Sequence, residues 1–396
     1  MIRGGIGLSY DRLATVYPAG YRNNPPFTGI VNVGTQFGTT FTYSLGDLSK
    51  PLNLGYPVDA SLATGLNAQN GIVGQRLSLV AVSRNLPQPY TENWFFGIQR
   101  SLPAKIVVEA DYLGSGGHHL VSIANINRFA GDLLNGGVFH GSNPSFASIN
   151  IAQTGSNSVY HGSTLSVRKQ MSQGITFQAA YSYSKVIAES EDEQGVTSFS
   201  DVNNRRIDRS VASFDVPHRL SFNGYWDVPF LHACSSWYCK AAGGWQLSGY
   251  GIFEKGLPFS VNTSAAYPNG DYNADGTALD RPNAPIAAIQ SAGFSQNQFL
   301  NGIFTASQFP VPALGTNGNL GRNTFRGPGF ERIDMALTKN FRFTERFNLR
   351  FRMQAFNALN HTNLNAPSGS LTSNTFGKST GSSIPRQLSA SLLLRF

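Results

Sequence analysis

The chain has 396 residues, 41% hydrophobic and 12% aromatic but only 13% charged, with 42 glycines and a formal net charge of +8. A charged fraction about half the usual ~25% disfavours a coiled coil and a charge-rich disordered chain, and no run of about 18 apolar residues is present to cross a membrane as a helix. The basic residues stand singly and form no block, which argues against nucleic acid as a partner.

Residues 2–11 alternate Ile2, Gly4, Ile6, Leu8 and Tyr10 against Arg3, Gly5, Gly7, Ser9 and Asp11. Period two marks a strand with one apolar face. The same stretch lacks an h-region and a cleavage site and is no signal peptide, so the expectation is an upstream start or a fragment. Residues 12–89, rich in Pro, Asn, Gly and Thr, read as an extended loop with room for a short hairpin. Residues 91–100 and 105–112 then form a strand pair, with Trp94, Phe96 and Ile98 on one face and Ile106, Val108, Ala110 and Tyr112 on another.

Residues 115–158 read as a Gly/Asn/Ser-rich loop. The Gly114-Ser115-Gly116-Gly117 run lacks the strand-to-helix setting of a phosphate loop and is taken as chain flexibility. His118, His119, His140 and His161 are taken as exposed loop histidines, because no metal-binding or nucleophile motif frames them.

Alternation resumes over 160–171 and 175–185, separated by Ser172-Gln173-Gly174, and again over 218–228, 245–253, 331–342 and 346–357. Between them lie an acidic loop holding Glu189, Glu191, Asp192 and Glu193, and a long loop over 256–328. After 358–385 the chain ends on a strand in which Leu388, Ala390, Leu392, Leu394 and Phe396 share one parity. Its length is the roughly 9–11 residues that a tilted strand needs to cross a bilayer.

These segments predict an all-β protein: an antiparallel transmembrane β-barrel, partial, with about ten spanning strands. A barrel is the remaining structure that satisfies its backbone inside lipid. Short connections at about 101–105, 172–174, 229–243 and 342–346 alternate with long ones, as short periplasmic turns alternate with long extracellular loops in the outer membrane of Gram-negative bacteria. Trp94, Tyr181, Tyr183, Trp226, Trp245 and Phe396 fit interfacial girdles. The opposite parity, with Arg168, Arg219, Asp227, Glu254, Arg342, Arg350, Arg352 and Gln354, is expected to face lumen water, a plug or a solute.

Two further features bear on chemistry. Cys234 and Cys239 are spaced for neither zinc nor a CxxC redox pair; a small disulfide loop is expected in an oxidising compartment, with free thiols the alternative. Asp271-Tyr-Asn-Ala-Asp-Gly276 with Asp280 has the order of a calcium loop, so Asp271, Asn273, Asp275 and Asp280 are candidate Ca2+ ligands. Pro282 stands where the bidentate Glu belongs, and a solvated Asx-rich turn is the competing reading. No catalytic residue and no other cofactor is expected.

Several phrases, taken together, resemble one family. They are Phe214-Asp-Val-Pro-His-Arg219, Gly244-Trp-Gln-Leu-Ser-Gly249, Gly256-Leu-Pro-Phe259, Asn319-Leu-Gly-Arg-Asn323, Arg326-Gly-Pro-Gly329, Asp334-Met-Ala-Leu-Thr-Lys-Asn340, Arg352-Met-Gln-Ala-Phe-Asn-Ala-Leu-Asn-His361 and Pro385-Arg-Gln387. In order and spacing they resemble the carboxy-terminal barrel of Oar-like TonB-dependent transporters. The resemblance implies uptake of a bulky solute through a barrel of about 22 strands. It also implies a preceding plug, a TonB box served by the TonB–ExbB–ExbD complex, and often a regulatory-like domain. Ten strands would then be about half of such a barrel. The expected alternative is a structural or secretion-linked surface barrel whose loops bind partners or carbohydrate.

Overall fold

The computed structural model describes residues 1–12, 24, 30–36, 39–44, 76–191, 199–201, 203–229, 242–263, 265, 267, 269–277, 280–342 and 348–396. Along the chain the strands are β1 (Ile2–Tyr10), β2 (Ile30–Gln36), β3 (Thr39–Ser44), β4 (Leu77–Val82), β5 (Tyr90–Leu102), β6 (Ile106–Asn125), β7 (Phe146–Ser172) and β8 (Ile175–Ala188). They continue with β9 (Ser210–Val211), β10 (His218–Asp227), β11 (Trp245–Glu254), β12 (Pro258–Phe259), β13 (Phe325–Arg326), β14 (Phe330–Arg342), β15 (Asn348–Phe356) and β16 (Gln387–Arg395). Ten of these pair antiparallel in the order β1-β5-β6-β7-β8-β10-β11-β14-β15-β16. They are the ten segments that period two marks in the sequence. Among the described residues no helix is long and apolar enough to cross a membrane.

Register turns the alternation of each strand into two continuous surfaces. Ile2, Ile98, Ala110, Leu165, Tyr181, Leu220 and Phe253 stand opposite one another in a single row. One position along, the row reads Arg3, Gly97, Asp111, Thr164, Ser182, Arg219 and Glu254. The first surface is the lipid face and the second the wet wall, since alternation is the only way a spanning strand can serve both. An arginine at Leu165, on the lipid face, is expected to be destabilising, by up to about 2–4 kcal/mol according to its depth in the bilayer. Thr164→Arg, one position away, is expected to change little. Denaturant unfolding of both variants in bilayers checks this; equal losses would remove the assignment of faces.

Two short turns are described. Pro103–Lys105 and Gln173-Gly174 reverse the chain through positive φ at Ala104, Lys105, Gln173 and Gly174, the twist that tight hairpins demand. Lys169 and Lys339 lie on the lipid-face parity beside such ends, yet both are buried. Lys169 Nζ donates to Ala104 O at 2.9 Å, and Lys339 Nζ donates to Gly243 O at 2.5 Å. Each lysine satisfies a carbonyl at the end of the sheet where lipid offers no donor.

The expected loop over 115–158 is corrected. β6 and β7 run 20 and 27 residues, far beyond the roughly 9–11 that span the core, and they pair well above it. His118, His119 and His161 therefore sit in strands, with only His140 in a loop. The glycines that disguise this extension serve close approach: a Cβ at Gly114 would fall inside the indole of Trp94. The long 12–89 segment likewise contains the hairpin β2–β3 and the strand β4, which pairs parallel to the upper part of β7.

Since one face of the sheet meets lipid and the other water, the packed core lies elsewhere. Val261, Phe304, Phe309, Leu320, Phe325 and Phe376 form it, all contributed by the loops after β11 and β15. These extracellular loops are a folded cap with its own helix, Gln296–Asn301, closed at its start by a Ser295/Gln298 capping box.

Candidate functional site

The wet wall carries paired charges. Arg3 reaches both Glu109 and Asp111, Arg219 Nε lies 3.0 Å from Glu254, and Arg332 Nε lies 2.8 Å from Asp334. Arg350 Nε donates to Asn340 Oδ1 at 3.0 Å and the Tyr225 hydroxyl to Asp227 Oδ1 at 2.6 Å. Polar groups paired within and between strands make a hydrophilic wall, with no nucleophile–base pair among them. The side chain of Arg342 lies outside the described residues, as do Cys234 and Cys239.

On the lipid face near the extracellular ends, tyrosines and histidines of neighbouring strands pair. The Tyr112 hydroxyl is 2.7 Å from His161 Nδ1, the Tyr181 hydroxyl is 2.7 Å from His218 Nδ1, and the Tyr90 and His118 rings stack at 4.9 Å. Amphipathic rings of this kind suit the headgroup level.

The phrases that carry the family resemblance meet in space as anchors of the cap. Asp215 takes Arg326 Nη2 at 2.5 Å and the Val186 N–H at 2.7 Å. Arg322 donates to Ala188 O and pairs with Glu191 at 3.2 Å, while Asn323 Nδ2 donates to Val211 O at 2.8 Å. Gly256 is required because a Cβ there would collide with Gly327 O. Asn357 takes the His361 N–H at 3.0 Å and donates its own N–H to Asp334 Oδ1 at 2.8 Å. A buried pair that sequence reading missed, Arg281 Nη1 and Asp208 Oδ1 at 2.8 Å, ties the loop after β8 to the loop after β11.

The structure brings the four candidate calcium ligands into one loop, where their oxygens already hold donors. Asp271 accepts the Asp275 and Gly276 N–H groups at 3.1 and 2.8 Å, Asp280 accepts the Asn273 N–H at 2.8 Å, and Asp275 accepts the Thr277 N–H at 2.7 Å. Burial, aided by the charges of Asp275 and Asp271, pushes the Asp280 carboxyl up to about 6, and burial raises Asp271 as well. A folded value above the ordinary ~3.9 means that the fold favours the protonated form. That stabilisation is complete below about pH 4 and is lost as pH rises through 6. Protection factors of the Asn273 and Gly276 amides are expected to fall between pH 5 and 7.5, and Asp280→Asn to flatten the profile. A profile unchanged by Asp280→Asn would exclude this carboxyl as the cause.

The family model for an outer membrane beta barrel domain matches residues 1–389. The chain belongs to that family. As an outer membrane β-barrel protein it resides in the outer membrane of a Gram-negative bacterium and spans by strands. Among solved structures, the outer membrane transporter YddB from Escherichia coli is 14% identical with a TM-score of 0.46, over 82% of this chain and 35% of that one. The FrpB iron transporter from Neisseria meningitidis (F3-3 variant) is 10% identical with a TM-score of 0.39, over 80% and 32%. The pyoverdine receptor FpvA from Pseudomonas aeruginosa PAO1 is 11% identical with a TM-score of 0.38, over 78% and 30%. The chain thus spans about a third of the length of these structures. No curated protein matches the sequence.

Proposed function

We propose that this outer membrane chain is the carboxy-terminal barrel portion of an Oar-like TonB-dependent receptor for a bulky solute. Residues 1–396 supply about half of the barrel and are not competent for uptake alone. The observation that carries the reading is an open sheet with a polar inner wall. Among the described residues β1 pairs with β5 alone and β16 with β15 alone, leaving one edge of each end strand without a partner. An open edge in lipid leaves backbone groups unsatisfied, so further strands of the same barrel are the economical partners. In this reading the plug and TonB box precede the barrel, and the TonB–ExbB–ExbD complex drives uptake through them without catalysis by the chain itself.

The test is the reading frame immediately upstream. An in-frame export signal, TonB box and plug domain support the proposal; an unrelated gene ending just before Met1 overturns it.

Calcium at the loop of Asp271, Asn273, Asp275 and Asp280 is a second, smaller proposal, supported by three carboxylates of one loop, two of them buried, which among the described residues are not gathered into a metal-holding cluster. Binding would require Asp275 and Asp280 to exchange backbone donors for the ion. The expected result is heat on calcium titration together with a fall of the Asp280 carboxyl from about 6 into the ordinary carboxylate range. Neither change on titration would remove the site.

A further inference from the structure

We propose that the outer rim of the sheet carries a binding site for a phosphorylated acyl lipid of the outer leaflet. The site is a cavity of about 670 Å³ between the extracellular ends of β8, β10, β11 and β14 and the overhanging segment 292–299 of the cap. That volume is within the roughly 300–1,000 Å³ of small-molecule sites. Its floor is Tyr181, Leu220 and Phe253, three consecutive members of the row that faces lipid. Its roof is Ala292, Phe294 and Phe299. A pocket with this floor opens into the bilayer, so its natural occupant is the medium itself.

The roof is a built structure. Phe299 is 2% exposed and meets Phe294 edge-on at 5.7 Å, and Phe294 in turn meets Phe304 of the cap core at 5.6 Å. Backbone bonds pin it on both sides: Ser379 N–H donates to Phe299 O, and Arg326 N–H donates to Ser291 O, each at 2.8 Å. The overhang therefore keeps an apolar slot open against the outside of the sheet.

The charges at the mouth decide the headgroup. His218 is engaged by the Tyr181 hydroxyl, Glu254 by Arg219, and Arg326 by Asp215. Glu331, a half-exposed carboxylate that also lines the mouth, stands 3.8 Å from His361 Nδ1, a pair that is ionic only when that histidine is protonated. Lys255 is exposed, its N–H fixed on His218 O at 3.0 Å, and among the described residues its ammonium forms no ion pair. An unmatched cation above an apolar slot at headgroup depth is the complement of a phosphate above an acyl chain.

The test places a reporter in the slot. Ala292→Trp in the full chain, folded in neutral-detergent micelles, is titrated with phosphatidylglycerol or phosphatidylcholine carrying brominated acyl chains, and its quenching is compared with that of the parent. Phosphatidylglycerol is expected to quench the introduced indole at lower mole fraction than phosphatidylcholine. Lys255→Glu is expected to raise the phosphatidylglycerol half-point about fivefold while leaving phosphatidylcholine unchanged, and inorganic phosphate is expected not to compete. Quenching no greater than in the parent, equal half-points for the two lipids, or indifference to Lys255→Glu would each overturn the site. Should Ala292→Trp lose its strand content, the phospholipid retained per chain after detergent washing gives the same comparison between the parent and Lys255→Glu. Equal retention is the overturning result.

Discussion

Phe304→Ala is expected to unfold the extracellular cap while leaving the ten-strand sheet in place. Phe304 is 6% exposed, and its ring lies 4.5 Å from that of Phe325, 5.5 Å from Phe309 and 6.4 Å from Phe376. With Phe309, whose ring lies 5.7 Å from that of Phe376, it joins the two long loops, since Phe304, Phe309 and Phe325 come from the loop after β11 and Phe376 from the loop after β15. Removing a buried phenyl costs about 3–5 kcal/mol through lost transfer and a residual cavity. A small cap with one core has little stability to spare. Limited proteolysis is expected to cut within 256–328 and 358–385 in the variant and not in the parent, with unchanged strand content by circular dichroism. Coupled loss of cap and strands would instead make the cap part of the same cooperative unit as the sheet.

What is legible in the sequence follows from which residues face lipid. Leu165, Tyr181 and Leu220 have to alternate with Thr164, Ser182 and Arg219, because both environments act on every second residue, and that constraint prints period two onto the chain. Where a strand leaves the bilayer the constraint ends. β6 beyond Gly114 and β7 before Tyr160 alternate in no hydrophobic sense, so hydropathy alone reads them as loop. Their pairing is carried by backbone bonds and by glycines that make room for Trp94, neither of which has a hydropathy signature. The cap core is hidden for a related reason: Val261, Phe304, Phe325 and Phe376 are far apart in sequence, and nothing local announces that they converge. The ordering of anchor phrases is visible, but not their purpose. Only in three dimensions does Asp215 of the first meet Arg326 of the fifth. Asp271, Asn273, Asp275 and Asp280 are legible as one loop because Asx turns are local, whereas the burial that raises Asp280 depends on distant packing.

Arg281→Met is expected to release the loop after β8 from the cap at a cost of about 3–5 kcal/mol, the penalty for stranding one member of a buried ion pair. Both side chains are under a tenth exposed. Arg281 also donates Nη2 to Ile207 O at 3.0 Å, while Asp208 accepts the Ser200 N–H at 2.8 Å and the Ser200 hydroxyl at 2.9 Å. The arginine therefore organises the turn that holds its own partner, and its loss leaves a carboxylate in a dry place with only neutral donors. Pairing the change with Asp208→Leu removes the stranded charge, and the double variant is expected to recover most of the loss, since replacing both members by apolar groups can be close to neutral. Hydrogen exchange at the Ser200 and Arg209 amides reads the effect locally: fast in Arg281→Met, slow again in the double variant. A double variant as unstable as the single would show that the contact acts through its hydrogen bonds to Ile207 and Ser200 and not through its charges.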